Sequence, residues 1–146
     1  MTPDPASFPP SRCGLVILAA GASRRMGSPK QLIEIDGRPL LVRAIEAALT
    51  APVWPVVVVL GANADALRPL LARYPVLIAE NPAWPEGMAS SIRAGVTLLR
   101  QFSRALEGTV ITVCDQPALA ARHLTALLDA PRPSGRQMAA ARWSCS

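Results

Sequence analysis

From Cys13 to Leu128 the apolar positions alternate between two periods. Short, nearly continuous apolar runs at Cys13 to Leu18, Val56 to Leu60, Val76 to Ala79 and Thr109 to Cys114 have the length and β-branched content of strands buried on both faces. Between them the apolar residues take a helical spacing. Leu40, Leu41, Ile45 and Leu49 predict a helix from about Pro39 to Thr50, with proline at an early position. Ala64 to Tyr74 predicts a short helix with Pro69 as a break or a fresh start. Met88 to Leu106 predicts a long one, with Ile92, Val96, Leu99 and Leu106 toward the core, and Leu119 to Leu128 another. Leu32 to Pro39 reads as a β-excursion turning at Asp36-Gly37, a pair suited to a tight turn. Strands alternating with helices imply an α/β fold, a Rossmann-like, mostly parallel sheet with helices on both faces. No repeat is visible. A single domain is expected over 13–146, behind a proline-rich, disordered tail over 1–12.

Ligands of such sheets collect at the carboxyl ends of the strands. Three loops with unusual chemistry are expected there. The first follows the first strand and reads LAAGASRRMGSPK from Leu18 to Lys30. Small residues let backbone N–H groups approach phosphate oxygens, and Arg24, Arg25 and Lys30 can neutralise several negative charges beside Ser23. Neither common phosphate motif is present: no Lys-Ser or Lys-Thr follows Gly27, and no G-x-G-x-x-G occurs. A solvated arginine-rich turn is the plainer alternative.

The second loop, Asn81 to Gly87, runs into a helix whose first turn carries Ser90 and Ser91. Either serine could simply cap that helix, with Glu86 favouring its dipole, although capping does not require so long and rigid an approach. The third loop, Val113-Cys114-Asp115-Gln116-Pro117, ends a strand in a carboxylate. Asp115 could hold a magnesium ion bridging nucleotide phosphates, since such ions take only one or two protein carboxylates. It could equally cap the next helix, with Pro117 in the first turn. His123, the one histidine, lies mid-helix and reads as a surface or packing residue.

Composition narrows the classes. The chain has 146 residues, 51% of them hydrophobic, and no run that reaches a membrane span, so a soluble protein is expected. Three cysteines, Cys13, Cys114 and Cys145, have no metal spacing and cannot all pair, which suits a reducing cytoplasm. The net charge of +5 could suggest nucleic acid, but the cations are dispersed and one Tyr and two Phe offer little base stacking. A solvated basic surface, or an acidic small substrate, is the better match. Fourteen of the fifteen basic residues are Arg, so the lone lysine, Lys30, stands out by lying inside the first loop.

LAAG-x-S-R-R-M-G followed by P-K, EGMASSIRAG and D-Q-P together resemble the molybdenum cofactor cytidylyltransferase family, within the MobA-like NTP transferase superfamily, from about Leu15 to Leu128. The resemblance implies a nucleotidyltransferase, GT-A-like fold. It implies catalytic roles for Arg25, Lys30 and Asp115. It places nucleotide contacts at Leu18, Ala19, Ala20, Gly21, Ser23 and Arg24, and base or ribose contacts at Ser90 and Ser91. It makes Asp115 a ligand of Mg²⁺ or Mn²⁺. The implied reaction moves CMP from CTP to the phosphate of molybdenum-bearing molybdopterin and releases pyrophosphate. A molybdenum hydroxylase of the xanthine dehydrogenase type is the implied partner, with no nucleic acid and no membrane. Guanylyl-transferring relatives have two glycines where this chain has Ala20 and Gly21, and the Ala20 methyl would crowd a purine.

Family members continue through further elements, including a Gly-Asp segment near the metal. Here Arg136 to Trp143 resembles at most the start of one more strand, so the domain is expected to be incomplete at its C-terminus. Other readings remain open: a nucleotide-binding or cofactor-delivery module without turnover, or a transferase using GTP or a sugar or polyol phosphate acceptor.

Overall fold

The computed structural model describes residues 13–22, 29–115 and 120–129. The expected tail over 1–12, the loop residues Ser23, Arg24 and Arg25, Gln116 and Pro117, Leu119, and the segment from Arg136 to Trp143 lie outside the described residues. Among the described residues, no helix is long and apolar enough to cross a membrane.

Four strands form one sheet in the order β5-β4-β1-β6: β1 (Cys13–Ala19), β4 (Val56–Leu60), β5 (Leu77–Glu80) and β6 (Gly108–Val113). Every pairing in it is parallel, with Leu18 opposite Val59 on one side and Val113 on the other. A small antiparallel hairpin, β2 (Glu34–Ile35) and β3 (Arg38–Pro39), turns at Asp36 and Gly37. Both have positive φ, 54° and 78°, the geometry that Asp-Gly favours in two-residue hairpins.

Alternate residues of β1 and β4 feed two cores. Leu15, Ile17, Val56, Val58 and Leu60 face α1 (Leu40–Thr50), α2 (Ala64–Leu71) and α4 (Ala121–Asp129). Val16, Leu18, Val57 and Val59 face α3 (Met88–Phe102). Helices on both faces therefore leave β1 and β4 with no solvent side, the condition that makes their sequences continuous apolar runs.

Two helices differ from the sequence pattern. Pro69 lies inside α2 without ending it. An interior proline costs about 3 kcal/mol, but Leu67 and Leu71 on either side of it are fully buried, and burying two leucines contributes about 3–6 kcal/mol. Helix α3 stops at Phe102, four residues short of Leu106. Ser103 turns extended, and its hydroxyl accepts a bond from the Ala105 N–H. Leu106 then folds back from the loop onto the α3 core. Val96 is half-buried outside both cores, whereas Gly95 faces the sheet.

Gly95 sets how close α3 comes. A Cβ there would sit 2.5 Å from a Val16 methyl and 2.9 Å from a Val59 methyl, and both valines are fully buried. Gly95→Ala should therefore destabilise the fold. The helix-propensity gain of about 1 kcal/mol is outweighed by about 1–3 kcal/mol of overpacking, provided the valines cannot shift. Urea unfolding of the two proteins measures the difference, and a more stable variant would show that this interface has slack.

Candidate functional site

The chain runs outward from β1 to β4 and β5, then returns to place β6 on the other side of β1. The reversal of strand order thus falls between β1 and β6, the kind of place where α/β sheets bind ligands. A cavity of about 730 Å³ lies there. It is walled by Leu18 to Ala22 after β1, by Lys30 and Gln31, by Trp84, Pro85, Gly87, Met88 and Ser91 before and within α3, and by Val113, Cys114 and Asp115 at the end of β6.

All three loops singled out in the sequence thus meet at one cavity. Leu18, Ala19, Ala20, Gly21, Lys30, Ser91 and Asp115 line it; Ser90 is not among the lining residues. Ser23, Arg24 and Arg25 lie outside the described residues.

Leaving the sheet creates a hydrogen-bonding demand that the turn after β1 meets with three donors. The Ala19 carbonyl accepts from Gln31 Nε2 at 2.9 Å, and the Ala20 carbonyl from the Ala62 N–H at 3.1 Å. The Gly21 carbonyl accepts from both Gln31 Nε2 and Asn63 Nδ2, each at 3.3 Å. Gln31 is only 3% exposed, and its Oε1 has no partner among the described residues. The Ala20 methyl is buried against Gly61 and Trp84: a Cβ added at Gly61 would stand 2.9 Å from it and 2.8 Å from the Trp84 Cβ.

The serines are placed by a buried network. Asn81 Nδ2 donates to Ser90 Oγ at 2.9 Å and to Ser91 Oγ at 3.0 Å, while Asn81 Oδ1 accepts from the Ala83 N–H. Ser90 donates to the carbonyls of Ala83 and Gly87. Its hydroxyl is thus committed to holding the approach loop against α3. Neither serine caps the helix. That position belongs to Gly87, at φ 110°, a conformation that favours glycine.

Asp115 is exposed at the end of β6. Helix α4 begins only at Ala121, so Asp115 does not cap it. His123 supplies the bond there, accepting from the Ala120 N–H through Nδ1 at 3.0 Å. Among the described residues no three His, Cys, Asp or Glu side chains gather as a metal site. A single carboxylate on an open cavity fits a magnesium-type ion that takes its other ligands from phosphates and water.

Between Val113 and Asp115 sits Cys114, whose thiol is pushed up to about 12, chiefly by burial and then by the Asp115 charge, with Lys30 acting weakly the other way. It is therefore a neutral thiol near pH 7. Sequence reasoning missed Gln31, Trp84, Pro85, Met88 and Cys114 as parts of the wall. Trp84 carried a signal, as a tryptophan in a chain with 4% aromatic residues, whereas nothing local marks Gln31.

A thiol proton held more tightly in the folded state contributes stability that is fully present below pH 9 and lost as pH climbs toward about 12. In a Cys13→Ser, Cys145→Ser background, Cys114 should resist a disulfide reagent at pH 8 until the protein is unfolded. Rapid labelling of the native variant would place the thiol in solvent.

Comparisons with known proteins agree with this geometry. The nicotine blue oxidoreductase of Paenarthrobacter nicotinovorans is 39% identical over 86% of this chain and 60% of its own length. A probable molybdenum cofactor guanylyltransferase of Synechococcus elongatus is 34% identical over 76% of this chain and 54% of its own. Among solved structures, Rv0371c of Mycobacterium tuberculosis superposes with a TM-score of 0.70 at 29% identity, over 80% of this chain and 58% of that one. Rv0371c has also been solved in complex with manganese, a form that superposes at 0.59 with 27% identity over 80% and 58% of the two chains. The chain thus spans a little over half the length of these relatives. Residues 15–145 match the MobA-like NTP transferase domain, and since that match takes in every element bordering the cavity, the chain belongs to this nucleotidyltransferase family.

Proposed function

We propose that this chain carries the nucleotidyl-transfer site of a cytoplasmic enzyme that moves CMP from CTP to the phosphate of molybdenum-bearing molybdopterin. The observation that carries the reading is the meeting of the small-residue turn, Lys30, Ser91 and Asp115 around one cavity at the reversal of strand order. The volume suits a nucleotide with room for part of an acceptor.

In this reading the N–H groups of the turn and the Lys30 ammonium bind the triphosphate, joined by Arg24 and Arg25 of the same loop. Ser91 donates to the base or ribose, because Asn81 already donates to its oxygen. Ser90 holds that wall in place from behind. Asp115 would hold a Mg²⁺ or Mn²⁺ ion, which when bound neutralises charge on the nucleotide phosphates. The acceptor phosphate oxygen attacks the α-phosphorus in line. One P–O bond forms, the bond to the β-phosphate oxygen breaks, and pyrophosphate leaves. Positioning and charge stabilisation carry the catalysis. Cys114 is no nucleophile here, since its thiol keeps its proton. The product, molybdopterin cytosine dinucleotide, would pass to a molybdoenzyme of the xanthine dehydrogenase type.

The 39% identity to a protein named an oxidoreductase supports a second reading. The same turn and Lys30 would then hold the pyrophosphate of a dinucleotide, without nucleotidyl transfer. CTP and GTP are separated by a smaller margin. The Ala20 methyl is buried against Gly61 and Trp84 and offers little surface to crowd a purine, so any preference for CTP on that ground is below the ~1–3 kcal/mol that full hydrophobic crowding gives.

Pyrophosphate release from CTP with Mg²⁺ and molybdopterin separates the two readings. Asp115→Asn should abolish release while leaving the melting temperature unchanged, because Asp115 is exposed. Lys30→Ala should raise the CTP Kd at least tenfold, in line with the ~1.5–3 kcal/mol of a charged hydrogen bond. CTP binding unaffected by Lys30→Ala would remove the lysine from the site. Saturable binding of a nicotinamide dinucleotide with no pyrophosphate release would favour the oxidoreductase.

A further inference from the structure

Asn63 occupies the position before α2 where an asparagine side chain ordinarily caps the helix, yet it makes no side-chain cap bond. Its amide reaches 42 residues back along the chain and donates to the Gly21 carbonyl. Gln31 donates to the same carbonyl from a buried position and to Ala19 as well. Its own Oε1 is left without a partner among the described residues, an arrangement that costs stability and that an apolar side chain would avoid. Two side-chain amides from separate parts of the chain thus converge on one peptide group at the rim of the cavity.

The direction of that peptide is what they control. In a trans peptide the carbonyl and the following N–H point opposite ways. Holding the Gly21 carbonyl toward Gln31 and Asn63 turns the Ala22 N–H away from both, and the Ala62 N–H, held by the Ala20 carbonyl, likewise fixes the Gly21 N–H. Gly21 and Ala22 line the cavity, and their N–H groups have no partner among the described residues. Two adjacent N–H groups fixed in this way suit an anionic oxygen.

We propose that Asn63 and Gln31 are positioning residues which, by jointly clamping the Gly21 carbonyl, aim the Gly21 and Ala22 N–H groups at the phosphates of the bound nucleotide. The inference rests on the reading of the cavity as a nucleoside triphosphate site and adds to it the residues that orient the turn. Neither amide touches the nucleotide. Each acts through the Gly21 peptide.

The test uses Asn63→Ser, Gln31→Met and the double variant, with CTP–Mg²⁺ affinity measured by calorimetry and stability by thermal unfolding. Serine caps a helix as well as asparagine does and is too short to reach Gly21, so α2 is preserved while the donor is lost. Asn63→Ser should weaken CTP binding roughly fivefold, the worth of one ordinary hydrogen bond, with the melting temperature unchanged. A purely structural asparagine would not produce that split. Because both amides serve one carbonyl, the double variant should lose more affinity than the product of the two single losses, since each partner alone still holds the peptide. Full CTP affinity in Asn63→Ser and in the double variant, with the unaltered protein binding CTP normally, overturns the clamp and leaves the nucleotide reading standing. Failure of the unaltered protein to bind any nucleoside triphosphate overturns both.

Discussion

The burial of β1 on both faces and both edges is the constraint from which the rest of the structure follows. Its neighbours β4 and β6 satisfy its backbone laterally, and α1 and α3 cover its two faces, so β1 has no freedom to shift or tilt. Where it ends, the chain leaves a saturated hydrogen-bond ladder for a turn of small residues. The carbonyls of the buried Ala19 and Ala20 must find donors, because an unpaired polar group there is costly, and that of the exposed Gly21 is held as well. Ala62, Gln31 and Asn63 supply those donors. The shape of the turn is therefore a consequence of where the sheet ends.

Close approach makes the same point in packing terms. Helix α3 lies against the sheet only because Gly95 has no side chain to meet Val16 and Val59, and the end of β4 meets the turn only because Gly61 leaves room for Ala20 and Trp84. The first contact sets the depth of α3. The second sets the separation of the turn from the Trp84 wall. Together they fix the width of the cavity, whose opposite sides are carried by elements far apart in sequence. The Asn81 network adds rigidity where the approach loop enters α3, since one buried amide donates to both serine hydroxyls.

Charge is distributed with the same economy. Lys30 and Asp115 flank a cavity otherwise lined by small and apolar groups, and Cys114 between them stays neutral. Elsewhere the charges that pair do so on the surface, as Arg68 does with Asp65 and Glu80, and Arg38 with Glu46. Exposed pairs of this kind add little to stability. The fold rests on its two apolar cores.

The sequence alone determined the strands, the parallel α/β architecture, the Asp36-Gly37 turn and the three loops at one end of the sheet, because hydrophobic period and turn chemistry are local and each fits within a few residues. Val56–Leu60 matched its expected bounds, and Lys30 and Asp115 were legible as charges in the loops that follow β1 and β6. Only the tertiary structure decided the remainder. Pro69 reads as a break, yet burial of Leu67 and Leu71 keeps the helix through it. Val96 reads as core, yet the small residue beside it faces the sheet. Ser90 and Ser91 look equivalent in sequence, but Asn81 draws both into one network and leaves only Ser91 on the cavity. Gln31 and Asn63 carry no local mark at all. Their partner is a carbonyl ten and forty-two residues away, and a hydrogen bond across such a separation exists only once the sheet has brought its two ends together.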